Sequence, residues 1–340
     1  MAIIALDLGG TKMAAAVFSP SGKILDRSIV ALEGRGGRAV GKLIRQEIET
    51  LLAFARANKI RITAIGVSIP GISHARTGKV WAPNIPGWKN YPLRREIQSA
   101  LSNAPVGYVP PRGAVSPVGR PPRGAVPIII DSDRACSILG ETWLGVAKGC
   151  RNAIFLAVGT GIGAGILVDG TVLRGIHDIA GAIGWMALNR PFRPEYIKCG
   201  CFEHHASGEG LAKIAREMQT AAHSHAPTPR RPGTPTPKRS HELFAAYDRG
   251  DPLAKAVLGQ AVEFWGMATA NLVSLFNPEK IIFGGGVFGP ATKFLDAIYA
   301  KAKKWAQPVS IKHVKLQPSK LGSDAPLYGA AWLALNQPQR

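Results

Sequence analysis

One arrangement occurs twice in this chain and limits what it can fold into: an apolar run, a turn of small residues, and a second apolar run. Near the amino terminus, residues 3–6 lead into Asp7-Leu8-Gly9-Gly10-Thr11-Lys12, and 13–18 are apolar again. Residues 153–158, the stretch Gly159-Thr160-Gly161-Ile162-Gly163-Ala164-Gly165, and 166–168 repeat the pattern. Each reads as strand, turn, strand. A helix is expected over 41–59, where Leu43, Ile44, Ile48, Leu51, Leu52 and Phe54 recur at helical spacing, and 62–69 reads as a buried strand. Further on, 127–130 is an expected strand ending at Asp131, 135–146 a helix, and 242–275 helical with a break near Asp251 and Pro252. A strand at 280–283, the turn Gly284-Gly285-Gly286 and a last helix at 325–335 complete the pattern. Such alternation predicts an α/β protein of two related domains with a cleft between them. The expected division places 1–130, joined by the C-terminal helix 322–340, in one domain and 131–321 in the other.

Charge invites a different class of partner. Lys plus Arg number 42 against 22 Asp plus Glu, a net charge of +20, and phosphate neutralisation by such residues drives non-specific nucleic-acid affinity. Part of the excess lies in two Pro-rich stretches, 104–127 and 223–241, which carry Arg112, Arg120, Arg123, Arg230, Arg231, Lys238 and Arg239. The first nearly repeats Pro-Pro-Arg-Gly-Ala-Val, starting at Pro110 and again at Pro121, and the second is Thr/Pro/Arg low complexity. Neither interleaves aromatics as a stacking platform does. Both read as loop insertions, and no nucleic-acid partner is expected. The longest uncharged run, 152–168, is glycine-rich and shorter than the roughly 18 residues of a membrane span. No basic leader precedes an apolar segment at the amino terminus. No membrane association is expected. Cys136, Cys150, Cys199 and Cys201 are too few for a disulfide framework in 340 residues, so a reducing cytoplasm is the expected compartment.

The glycine turns carry the chemistry. Asp7 ends an apolar run and is followed by small residues that expose backbone N–H groups, an arrangement able to cradle phosphate. Gly159 to Gly165 offers a second set of donors and Gly284 to Gly286 a third. Taken singly, such a cluster is more often only a turn; three in this order are harder to obtain by accident. No Gly-x-x-x-x-Gly-Lys-Ser/Thr occurs, and the second cluster opens a strand instead of a helix. P-loop and dinucleotide-binding readings are therefore excluded.

Together these residues resemble the ROK family (repressor, open reading frame, kinase) of sugar kinases and sugar-responsive regulators, within the actin-like ATPase superfamily. The resemblance spans nearly the whole chain. Residues 7–12 are similar to the family's first phosphate motif, 159–165 to its second, and 284–287 after Asn277-Pro278-Glu279 to its adenosine motif. Asn84-Ile85-Pro86-Gly87-Trp88 resembles the sugar-side loop. Asp131-Ser132-Asp133, followed by Leu139-Gly140-Glu141, resembles the segment whose second acid is the catalytic base, with Ser132 in place of the usual Asn. The resemblance implies a two-domain actin-like ATPase (ribonuclease H-like) α/β fold with an interdomain cleft, ATP and Mg²⁺ as cofactors, and a homodimer. It assigns nucleotide binding to Asp7, Gly9, Gly10, Thr11, Lys12, Gly159, Thr160, Gly161, Gly163, Gly284, Gly285 and Gly286. Sugar binding falls to Asn84, Ser132, Asp133 and Glu203.

Chemistry bears on these assignments independently. Phosphoryl transfer to a hydroxyl needs phosphate positioning, Mg²⁺ charge neutralisation and a carboxylate to accept the hydroxyl proton. Asp133 suits the base, its alternative being a helix N-cap before Ala135. Asp7 suits the metal-bound nucleotide, usually through water, its alternative being a cap on its own turn. Lys12 either approaches phosphate or lies on the exposed face of the second strand.

The resemblance also breaks in two places. Where the family commonly has Ala-Gly-Glu-Ile-Gly-His, this chain reads Ala180-Gly181-Ala182-Ile183-Gly184-Trp185, which removes a sugar-contacting acid and a sugar or zinc ligand. The zinc loop survives only as Gly200-Cys201-Phe202-Glu203, its two earlier cysteines aligning with Pro194 and Tyr196. The usual zinc site cannot form. Cys199, Cys201 and His204, with His205, are the remaining donors for a substitute; otherwise the loop is held by packing, with Trp185 filling the space of the metal. His177 and Trp185 are read either as core residues or as pocket residues.

The expected function is an ATP-dependent carbohydrate kinase acting on a sugar hydroxyl, with glucose or a related hexose as acceptor and an altered acceptor pocket. The first alternative is a non-catalytic sugar sensor without a DNA-binding domain, since the first strand begins at Ile3 with no helix-turn-helix before it. The second is a polyphosphate-dependent kinase drawn to its donor by the positive charge.

Overall fold

Strand β1 (Ala2–Leu8) is apolar on both faces, and successive side chains feed two different cores. Ile4, Leu6 and Leu8 join one, while Ile3 and Ala5 join the other. The computed structural model describes residues 1–74, 77–102, 126–224 and 239–336, so most of both Pro-rich stretches lies outside the described residues. β1 forms a hairpin with β2 (Lys12–Phe18), which pairs antiparallel with β3 (Ile24–Ala31). After α1 (Gly37–Ala57), strand β4 (Ile62–Ile69) returns parallel to β1. The small hairpin β5 (Ile72–His74) and β6 (Lys79–Trp81) and helix α2 (Leu93–Ser102) precede β7 (Ile128–Ser132), which runs straight into α3 (Asp133–Trp143). The sheet order is β3-β2-β1-β4-β7. On one face, Val40, Ile44, Ile48 and Leu51 of α1 share a core with Leu6, Val17, Ile65 and Val67.

The second sheet repeats that plan. β8 (Ala153–Val158), β9 (Ile162–Val168) and β10 (Thr171–Val172) form an antiparallel meander. Helices α4 (Tyr196–Cys199), α5 (Cys201–Ala206), α6 (Gly208–Ser224), α7 (Ser240–Asp248) and α8 (Pro252–Phe276) follow. β11 (Lys280–Gly284) then runs parallel to β8, and after α9 (Leu295–Ala302) and α10 (Ser310–His313), β12 (Lys315–Pro318) runs parallel to β11. The order β10-β9-β8-β11-β12 is the first sheet's order again. Helix α8 starts where the sequence pattern breaks, because Asp251 accepts the Ala254 N–H at 2.8 Å and Pro252 occupies the first turn.

The last helix, α11 (Ala325–Leu335), covers the other face of the first sheet. That face is built from small side chains, Ala5, Ala14, Ala16 and Ala64, against Leu327, Ala330, Ala331 and Ala334. Glycines permit the approach: a Cβ at Gly66 would strike the Ala330 carbonyl, and one at Gly329 the Cys136 carbonyl of α3.

Two units result. The described residues of Met1–Lys148, Arg174–Ala180 and Asp324–Arg340 form one, and those of Gly149–Leu173 and Gly181–Ser323 the other. The division expected between 130 and 131 cuts across β7. That strand and α3 stay in the first unit because β7 pairs with β4, and 174–180 also joins it. Strand β9 begins at Ile162, inside the turn expected over 159–165, since Gly163 and Gly165 take up strand pairing opposite Ala157 and Phe155. Among the described residues, no helix is long and apolar enough to cross a membrane.

Candidate active site

In the first unit, β1, β4 and β7 are parallel neighbours, and their carboxyl ends carry polar residues at matching registers. Asp7 pairs with Ser68, and Ser68 with Asp131. Ligand sites of open α/β sheets lie at such ends. The Ser68 hydroxyl donates to Asp7 Oδ1 at 2.7 Å. Burial nevertheless pushes the Asp7 carboxyl up to about 7, with the Asp133 and Asp324 charges adding to the rise and Ser68 and Lys12 opposing it. Asp133 is the first residue of α3, and burial raises its pKa as well, with Arg134 opposing. Its Oδ1 accepts the Arg134 N–H at 2.8 Å. The N-cap is Ser132, whose Oγ accepts the Ala135 N–H at 3.2 Å. Asp133 is thus relieved of the capping role.

Two partners near this point are absent from the sequence reading. Ser68 is one; its only sequence signal is a hydroxyl near the end of an otherwise apolar strand run. The other is Arg174, which donates from Nε at 3.1 Å and from Nη2 at 2.5 Å to Asp131 Oδ2. The Ser132 N–H donates to the other oxygen, Asp131 Oδ1, at 2.8 Å. Asp131 is therefore held on both sides just ahead of Asp133.

The sugar-side loop and the first glycine turn also meet. Gly9 donates its N–H to the Lys12 carbonyl at 2.9 Å, closing the turn. A Cβ at Gly10 would lie 3.4 Å from the Cβ of Asn84. Gly10, Thr11, Lys12 and Asn84 are all exposed. The loop under Asn84 is rigid: Trp88 is buried, donates from Nε1 to the Gly37 carbonyl at 3.0 Å, and stacks on Tyr91 with ring centroids 4.4 Å apart.

In the second unit, Gly159 donates its N–H to the Gly161 carbonyl at 2.9 Å and accepts the Gly208 N–H, at the start of α6, at 2.8 Å. Glu203 reaches the same turn, its Oε2 accepting the Ile162 N–H at 2.6 Å. A Cβ at Gly161 would lie 2.6 Å from that oxygen, so the turn closes on the carboxylate only because Gly161 has none. Burial raises the Glu203 pKa, which the Ile162 N–H opposes and Glu209 reinforces. Thr160 is exposed at the tip, whereas Gly163 is buried within β9. Gly284 ends β11 beside Ala157, Gly285 turns the chain at φ +85° against the Val158 carbonyl, and Gly286 has open space where a Cβ would be. Glu279, at the other end of β11, accepts the Arg151 and Asn152 N–H groups at 2.8 and 2.9 Å and serves the sheet.

The substitute zinc donors do not converge. Among the described residues, no group of three or more His, Cys, Asp or Glu side chains is arranged to hold a metal ion. His205 instead accepts or donates to Tyr196 Oη at 2.8 Å and stacks on Phe264 at 4.3 Å, and its pKa is lowered by burial to about 4. His204 is lowered by burial too, while the Cys199 thiol donates to the Gly200 carbonyl at 3.8 Å. An aromatic and imidazole cluster occupies this loop. Neither Trp185 nor His177 is a core residue: Trp185 is 58% exposed and His177 is exposed. The expectation that Trp185 fills the place of the metal fails, because the 3-10 turn Ile183–Trp185 directs the indole outward.

Two hairpin-led sheets of one order, one bearing carboxylates at its strand ends and the other glycine turns, define the actin-like two-domain fold of sugar kinases, and this protein is a sugar kinase. The profile of the ROK family matches residues 3–108 and 122–337, and the chain belongs to that family. It is 29% identical over 342 residues to a glucokinase of Halalkalibacterium halodurans, spanning 98% of this chain and 95% of that protein. A crystal structure of a ROK hexokinase from Thermus thermophilus superposes with a TM-score of 0.73 at 29% identity, covering 98% of this chain and 97% of that one. A ROK family glucokinase from Streptomyces griseus, solved in complex with glucose and AMPPNP, gives a TM-score of 0.73 at 25% identity over 99% of this chain and 100% of that one. A xylose repressor of Caldicellulosiruptor bescii is 25% identical over 98% of this chain and 78% of its own length.

Proposed function

We propose that the protein transfers the γ-phosphoryl group of ATP to a hydroxyl of a hexose, glucose or a close relative, with Asp133 as general base. The observation that supports this most is that Ser132, not Asp133, caps the helix: the Asp133 carboxylate accepts only the local Arg134 N–H among the described hydrogen bonds, and burial raises its proton affinity. Asn84, Ser132 and Glu203 are assigned to the acceptor. Asp7, Gly9, Gly10, Thr11 and Lys12, together with Gly159, Thr160, Gly161, Gly163 and Gly284 to Gly286, are assigned to the nucleotide. Gly163 contributes by letting β9 pack, and Gly284 and Gly285 by shaping the turn that exposes Gly286.

The residues present fit Mg²⁺. Asp7 lies among the charges of Asp133 and Asp324 and is driven towards its neutral form at ordinary pH, a crowding that a divalent cation relieves. Asp7 would hold the ion through water, and the ion when bound neutralises phosphate charge. Asp133 accepts the acceptor proton, Ser68 orients Asp7, and the glycine turns present N–H groups to phosphate. The homodimer implied by the resemblance belongs to this proposal and is read from sedimentation equilibrium.

ADP release with Mg²⁺-ATP over a panel of hexoses, amino sugars and polyols tests the reading, beside Asp133→Asn. Acceptor-dependent turnover that falls about 10²- to 10⁴-fold in the variant supports it. An unchanged rate removes Asp133 from the chemistry. Turnover with polyphosphate but not ATP would overturn the choice of donor, and sugar binding without turnover would point to the sensor.

A further inference from the structure

Three carboxylates gather at the end of the first sheet, and one guanidinium answers them. Asp7 and Asp131 face the same way, because each is registered against Ser68 on the strand between them, which sets their backbones roughly 10 Å apart. Asp133 follows at the start of α3. All three charges bear on one buried side chain: the Cys136 thiol is raised well above its ordinary value, first by burial and then by Asp131, Asp7 and Asp133. Among the described residues, Arg174 with Asp131 is the one ion pair that any of the three makes.

The pair holds Asp131 in one orientation. The carboxylate is the more buried partner, its side chain 14% exposed against 39% for Arg174. Both Arg174 contacts, from Nε and Nη2, close on Oδ2, which leaves Oδ1 to the Ser132 N–H. Ser132 is in turn the N-cap of α3, and Asp133 is the first residue of that helix. One chain of contacts therefore runs from guanidinium to carboxylate to peptide to the residue that carries the base. Arg174 itself is fixed, since its carbonyl accepts the Ala180 N–H at 3.0 Å and closes the loop 174–180. Without the guanidinium, Asp131 is a largely buried charge with no counter-ion. It would turn towards water, withdraw Oδ1 from the Ser132 peptide and loosen the cap from which Asp133 projects.

We infer that Arg174 is a positioning residue for phosphoryl transfer: bound to Asp131, it fixes the junction of β7 and α3 and with it the direction in which Asp133 presents its carboxylate. It acts through Asp131 and takes no proton itself. This rests on the kinase reading above, with Asp133 as base.

The test measures kcat and KM of ADP release with Mg²⁺-ATP and D-glucose, or the hexose that the wild type turns over fastest. The proteins are the wild type, Asp133→Asn, Arg174→Ala, Arg174→Lys, Asp131→Asn and the double variant Arg174→Ala/Asp131→Asn. Arg174→Ala should lower kcat by about 10- to 100-fold, as a displaced base does, with the hexose KM changed by less than about threefold. Arg174→Lys should recover most of the rate, because both guanidinium contacts meet a single oxygen that one ammonium can also reach. The double variant should bring kcat back to within about fivefold of the wild type, since Asn still accepts the Ser132 N–H and has no charge to hydrate. A merely structural buttress is not restored by altering its partner. An Arg174→Ala kcat within about twofold of the wild type, while Asp133→Asn is inactive, overturns the inference and leaves the kinase reading intact. So does a loss that persists in both the Lys and the double variants. No hexose turnover by the wild type, or full activity of Asp133→Asn, overturns the underlying reading and this inference with it.

Discussion

Asp7 holds a carboxylate where the fold would prefer a neutral group. Its pKa of about 7 against an ordinary 3.8 means that ionising it costs the folded state up to about 4 kcal/mol, at about 1.36 kcal/mol per unit. A raised pKa gives stability that is complete at low pH and is lost as pH rises through the folded value. Asp7→Asn keeps an oxygen to accept the Ser68 hydroxyl and cannot ionise, so its Tm should exceed the wild type's by about 5 °C at pH 8 and match it near pH 4. The same variant should lose about 10²-fold or more in kcat if Asp7 positions the metal-bound nucleotide. Calorimetry and ADP release check the two halves, and an equal or lower Tm at pH 8 would sink the strain argument. Asp7 is legible in sequence because it ends an apolar run, and Asp133 because it follows, two residues on, the Asp131 that ends another, which is where an α/β sheet delivers side chains. Ser68 and Arg174 are not, since their partners are chosen by strand register and by a chain segment that returns from beyond β10.

Among the elements, the packing of α11 on α3 and β4 is the least tolerant of change. The Cβ that Gly329→Ala introduces would meet the Cys136 carbonyl, which belongs to helix backbone and cannot rotate away. Destabilisation of about 3 kcal/mol or more is expected from such overpacking, measured by urea denaturation. Gly286→Ala, whose Cβ meets open space, serves as the benign control for stability. Element existence was readable from periodicity: residues 62–69 and 325–335 are strand and helix as the pattern predicts. Boundaries near glycine were not. Gly163 and Gly165 look like turn residues in sequence, yet antiparallel pairing with β8 satisfies their backbone groups and makes them strand. The fate of 183–201 was equally hidden, because composition cannot tell a buried imidazole cluster from a failed metal loop, nor an outward indole from an inward one.

At the scale of the whole molecule, His205 of the second unit and Asp7 of the first titrate in opposite senses. His205, lowered to about 4 from an ordinary 6.5, contributes stability that is present above pH 6.5 and lost as pH falls towards 4. The loss is at most about 3 kcal/mol, and it falls on the second unit, whereas Asp7 weakens the first unit as pH rises to 7. Pulse proteolysis at pH 4.5 should therefore cut first within the second unit, and at pH 8.5 first within the first. Identical cleavage order at both values would refute this asymmetry.

The return of α11 to the first sheet has a bearing on how the polypeptide is made. Ile3, Ala5 and Phe18 are translated about 300 residues before the helix that shelters them, Ala325–Leu335. While the second unit, built mostly from one continuous stretch, can assemble during elongation, one face of the first sheet lacks the α11 part of its cover until that helix has been made. A nascent chain that has made the first sheet but not yet α11 accordingly shows a partly covered β-sheet face, the kind of surface that holdase chaperones bind.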